Sequence, residues 1–116
     1  MAPLPPTTGM KLMSSNIAQN IPSLYSTEKL PLAEKTVQLK WFAPWSNWTW
    51  WVVEYDPTER IAWGIVAGHE TEWGYFSLDE LEAIRGRAGL TIERDIHFVP
   101  CTVAALVKRE RLDMAL

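Results

Sequence analysis

Between Thr36 and Ala67 the sequence alternates with a period of two in three successive runs, separated by two turn sequences, "PWSN" and "DPTE". A period of two sends neighbouring side chains to opposite faces of an extended chain, so the pattern commits this stretch to antiparallel strands joined by tight turns. In the first run Val37, Leu39 and Trp41 share a face opposite Gln38, Lys40 and Phe42. The second sets Trp48, Trp50, Val52 and Glu54 against Thr49, Trp51, Val53 and Tyr55, which leaves both faces largely apolar. In the third, Ile61, Trp63 and Ile65 oppose the smaller Ala62, Gly64 and Val66. Pro44 ends the first run, and Pro57 suits the second position of a turn.

Helix signals flank this block. Ser14 or Ser15 can cap a short helix to Asn20, which Pro22 stops. Ser77, with Glu80 three residues on, opens a helix over 77–85 that ends near Gly86. Thr102 caps a helix over 102–113, with Val103, Leu106, Val107 and Leu112 as its apolar stripe. "TIERDIHFV" (91–99) reads as a last strand, and "GHETEW" as a polar loop at a strand end. Leu24 and Tyr25 are expected to pin the loop between Pro22 and Lys35 to the core. The expected fold is therefore α+β: a mainly antiparallel sheet of four or five strands, with two or three helices packed on one face and the other partly open.

Residues 1–9 hold three prolines, two threonines and a glycine, and read as a disordered Pro-rich arm. Met10-Lys11-Leu12-Met13 looks like a second start, so 10–116 is expected to form a single globular domain, which suits a chain of 116 residues. The apolar stretches are too interrupted by charge for a membrane span, no signal-peptide pattern opens the chain, and the one cysteine, Cys101, cannot form an internal disulfide. A cytoplasmic protein is expected, with Cys101 acting as a small apolar residue and no cofactor.

Several motifs together, Ser46-Asn47-Trp48-Thr49-Trp50, Gly74-Tyr75-Phe76-Ser77-Leu78 and Ile92-Glu93-Arg94-Asp95, resemble those of domain of unknown function 2958, over about Met10 to Pro100. That family resemblance carries no established activity. It implies genomic company: plasmids and integrative elements that carry conjugation and anti-defence genes.

Two features bear on function. "WFAPWSNWTWW" (41–51) holds six aromatic side chains, and 54–82 hold eight acids against one base, Arg60. Tryptophans beside acids suit a protein interface, in which indoles anchor and carboxylates steer a basic partner. The expected partner-binding set is Trp45, Trp48, Trp50, Glu54, Asp56, Glu70 and Glu72, on a non-catalytic module from a mobile element. Its expected partner is a basic protein, such as a CRISPR or restriction complex that the module inhibits. Single-stranded DNA binding, as a conjugation accessory, also needs aromatic platforms, but no Lys or Arg lies between Trp41 and Glu59 to neutralise phosphates. A metal-dependent hydrolase at His69, Glu70 and Glu72, with Glu54, Asp56 and His97 as spatial neighbours, is a further alternative. Its residue types fit metal ligation, but an extended 69–72 segment would point alternate residues opposite ways. Arg85 and Arg87 read as solvated cations at a helix end.

Overall fold

The computed structural model describes residues 11–116; the Pro-rich segment 1–9 lies outside them. Five strands form one antiparallel sheet in the order β5-β4-β3-β2-β6. They are β2 (Leu39–Phe42), β3 (Thr49–Asp56), β4 (Ile61–Ala67), β5 (Thr71–Ser77) and β6 (Glu93–Arg94). A two-stranded sheet pairs β1 (Thr36–Val37) with β7 (Cys101–Thr102), and the described residues also form three α-helices: α1 (Ser15–Gln19), α2 (Leu78–Ala83) and α3 (Val103–Glu110). The α+β architecture and the five-stranded sheet agree with the sequence pattern.

All three helices start at a residue the sequence marks. The Ser14, Ser77 and Thr102 side chains accept hydrogen bonds from the backbone N–H groups of Ile17, Glu80 and Ala105, each at 3.2 Å. Each satisfies a donor that the first helical turn leaves without a partner.

The helices divide between the two faces of the sheet, instead of covering one. Leu78 and Leu81 of α2 pack with Trp41, Trp50, Val52, Tyr55, Phe76 and Ile92. Val103 and Leu106 of α3 pack with Val37, Trp51, Val53 and Ile65 on the other side. The cause lies in β3, whose alternate residues are bulky and apolar on both sides. Each face must be covered to bury them.

A β-bulge interrupts the β3 alternation. Val52 pairs with Gly64 and Glu54 with Trp63, so Val53 is the extra residue and two residues of β3 oppose one of β4. Glu54 thereby moves to the α3 face with Val53, and Tyr55 replaces it in the α2 core. One inserted residue reverses the facing of everything that follows it.

Two other segments differ from expectation. The "polar loop" after Gly68 is a hairpin: Gly68, His69 and Glu70 turn, and 71–77 form β5, paired with β4 from Ala67↔Thr71 to Ile61↔Ser77. The strand expected over 91–99 shrinks to β6, because Asp95 turns the chain. Its carboxylate accepts the His97 N–H at 2.9 Å and its carbonyl the Phe98 N–H at 3.2 Å. Cys101 and Thr102 then cross to pair with β1.

Candidate functional site

The seven tryptophans have three different fates. Trp41 is fully buried, its Nε1–H donating to the Leu12 carbonyl at 2.8 Å, and Trp51 is buried beneath α3. Trp63 and Trp73 stack across β4 and β5, 4.6 Å apart and 16° from parallel. The remaining three, Trp45, Trp48 and Trp50, line one surface cavity of about 260 Å³ with Ala43, Ser46, Ile84 and Ile92.

This indole cup is built by local chemistry. Pro44 ends β2, and the Ser46 hydroxyl accepts the Trp48 N–H at 3.1 Å, holding the turn that places Trp45 and Trp48 on either side of the cavity. Trp50, 7% exposed, forms the floor from β3, while Trp48 remains 37% exposed. Trp48 lies 6.0 Å from Trp50 and meets His69 edge-on at 5.5 Å. Two glycines make room for the rims: a β-carbon at Gly68 would fall on the Trp48 ring, and one at Gly86 on the Trp45 ring. Both positions act as flat seats for an indole. The missed members are Ile84, which α2 delivers as it ends, and Ile92. The signal available for them was Gly86, read only as a helix stop.

The acids do not form one ridge. Glu72 is exposed on β5 and shares a sheet face with Trp50, since Trp50 pairs with Val66 and Val66 with Glu72. Glu70 lines a different cleft with His69, Thr71 and Asp113. Asp56 ends β3, some 20 Å from its start at about 3.3 Å per residue, where its carboxylate accepts the Thr58 N–H. Glu54 is only 4% exposed. The expected surface set is corrected accordingly: Trp50 is a floor, Glu54 is buried by the bulge, and Asp56 sits at the far end. Basic residues flank one seat of the cup in the sequence, Arg85 and Arg87 on either side of Gly86. Arg85 donates to the Glu82 and Ile84 carbonyls, closing the end of α2.

Residues weighed for metal chemistry are also dispersed. His97 follows β6, and β6 and β5 form opposite edges of the sheet, so it stands across the sheet from the His69 hairpin. Among the described residues, no group of three or more His, Cys, Asp or Glu side chains is placed to hold a metal ion.

A second cavity, of about 470 Å³, opens on the α3 face. Tyr25, Trp63 and Tyr75 supply its aromatic walls, Leu30, Pro31 and Leu32 an apolar side, Glu28 an acid, and Lys35 and Glu54 two buried charges. Glu54 accepts the Tyr25 N–H at 2.7 Å, the Thr27 N–H at 3.1 Å and the Thr27 hydroxyl. Lys35 donates to the Thr27 carbonyl and, at 3.0 Å, to the same hydroxyl. Its ammonium lies 5.6 Å from the Trp63 ring centre. Thr27 thus bridges the two charges, which desolvation would otherwise penalise.

Fold and cavities define a small α+β sheet protein with an aromatic cup at one end of its sheet. The chain belongs to the family described as protein of unknown function (DUF2958), whose model matches residues 12–108, as the sequence motifs implied. No curated protein and no solved structure matches the chain. Among the described residues no helix is long and apolar enough to cross a membrane.

Proposed function

We propose that this protein is a non-catalytic protein-binding module whose indole cup seats an apolar side chain of its partner. The convergence of Trp45, Trp48 and Trp50 on one open apolar cavity carries this reading. Tryptophans in a partly enclosed pocket are the usual energetic anchors of protein interfaces, and a cavity of about 260 Å³ accommodates one or two large side chains. The partner is a basic protein, steered by Glu72 on the same face and by the net charge of −3. The mobile-element company implied by the family resemblance makes a nucleic-acid-handling defence complex the partner class that best fits this charge. The module would inhibit that complex by occupying it.

A plasmid-protection assay tests the reading. Cells with an active restriction or CRISPR system are transformed with a targeted plasmid, with and without this protein. Protection by the wild-type chain, lost with Trp48→Ala and with Ile84→Asp at unchanged protein level, is the expected outcome. Absence of protection in every system tried, or protection that both variants retain, would contradict it.

One observation favours a second reading. Arg85 and Arg87 flank Gly86, the seat of Trp45, in the sequence, which supplies cations next to the cup's rim in the chain, as a single-stranded DNA platform requires. Quenching of tryptophan emission by a short oligonucleotide at low salt, reversed by Arg87→Glu, would support that reading over the first.

A further inference from the structure

The tyrosine-walled cleft on the α3 face has the composition of a cation site. Its three lining charges are Glu28, Glu54 and Lys35, so its net charge is negative. Lys35 already shows how the cleft holds an ammonium: two oxygen acceptors from Thr27 and an indole face from Trp63. Tyr25 and Tyr75, 59% and 55% exposed, stand at the mouth with ring centres 6.3 Å apart and 52° between planes. Both are among the large exposed aromatics of the described residues.

The hydrogen-bond accounting points the same way. A carboxylate offers about four acceptor sites. Glu54 uses three, two at Oε2 and one at Oε1, and it forms no ion pair with any of the described basic residues. One lone pair at Oε1 remains beside the cavity. Tyr25 holds a left-handed backbone, φ 69°, which is unfavourable for a non-glycine residue. The Glu54 bond to its N–H fixes that conformation. The Tyr75 phenol is held above its ordinary value chiefly by the adjacent Tyr25 phenol, with Glu54 and Glu28 adding negative potential. An anion entering to reach Lys35 would have to pass Glu28 and lie beside Glu54.

We propose that this cleft receives a lysine or arginine side chain of a partner polypeptide, its charged head at the mouth against the cavity side of the Tyr25–Tyr75 pair, with Glu54 and Glu28 as counter-charges. The alkyl stem would lie along Leu30 and Pro31, as long basic side chains commonly do on apolar surface. This site lies on the opposite sheet face from the indole cup and does not depend on it.

The test is a titration of the full chain, followed by amide chemical shifts, with three blocked tripeptides: Ala-Lys-Ala, Ala-norleucine-Ala and Ala-Glu-Ala. The lysine peptide is expected to shift Tyr25, Thr27 and Tyr75 saturably and about fivefold more tightly than norleucine, as one partly exposed cation–π contact with a counter-charge would give. Glu28→Gln and Tyr75→Leu alter exposed residues, so the fold stays intact, and each should weaken the lysine peptide several-fold. Trp48→Ala should leave it unchanged, which separates this site from the cup. Equal binding of lysine and norleucine peptides would overturn the proposal. So would preferential binding of the glutamate peptide, which would make Lys35 the recognising group.

Discussion

Thr27 shows how much one side chain can hold. Its hydroxyl donates to Glu54 and accepts from Lys35, so it satisfies two buried charges that do not touch each other directly. Thr27→Val keeps the shape and removes both bonds. Hydrogen bonds to charged groups contribute about 1.5–3 kcal/mol each, so a loss of about 3–6 kcal/mol is expected in urea unfolding. The Tyr55 phenol offers a pH test. Burial raises it above its ordinary value of 10.0, Arg60 opposes this, and Glu82, Asp79 and Asp56 reinforce it. A phenol that is harder to ionise when folded contributes stability that is complete below pH 10 and fades as pH rises through the folded value. Unfolding midpoints should therefore hold steady up to pH 9 and fall by pH 11 more in the wild type than in Tyr55→Phe.

At the scale of elements, the glycines of the central hairpins separate packing from exposure. A β-carbon at Gly64 would run into the Trp51 carbonyl, whereas one at Gly74 meets nothing within 4 Å. Gly64→Ala should cost about 1–3 kcal/mol by overpacking. Gly74→Ala should be neutral, or stabilising by up to about 1 kcal/mol, since alanine restricts the unfolded chain. Thermal unfolding of the two variants checks this contrast. Strands β2 to β4, their turns and all three helix caps were legible because each depends on residues within a few positions of one another. The bulge at Val53 was not, because it depends on how β3 sits against β4. Glu54 therefore looked like a surface acid, when it is the buried floor of a cleft. Strand β5 escaped for a different reason: its alternation of Thr71, Trp73 and Tyr75 with Glu72, Gly74 and Phe76 is present, but the acids at its start resemble a loop. The pairing of β1 with β7, from opposite ends of the fold, leaves no local trace in either segment.

For the molecule as a whole, the sheet is a partition between two aromatic-lined cavities: an indole cup against the α2 core and a tyrosine cleft on the α3 face. The clustering of Trp45, Trp48 and Trp50 was visible in the sequence as density of aromatic residues. Their division from Trp41, Trp51, Trp63 and Trp73 required coordinates, because it is decided by which indoles the helices cover. The cup is the part of the molecule to which the functional account is tied. A photo-crosslinking residue placed at position 84, on the rim of the cup, and at position 59, exposed at the far end of the sheet, probes it in living cells. The account predicts a discrete protein adduct from position 84 that disappears when Trp45 and Trp48 are both replaced by alanine, and none from position 59. Adducts of equal yield from both positions, or an adduct at 84 indifferent to the two indoles, would contradict it.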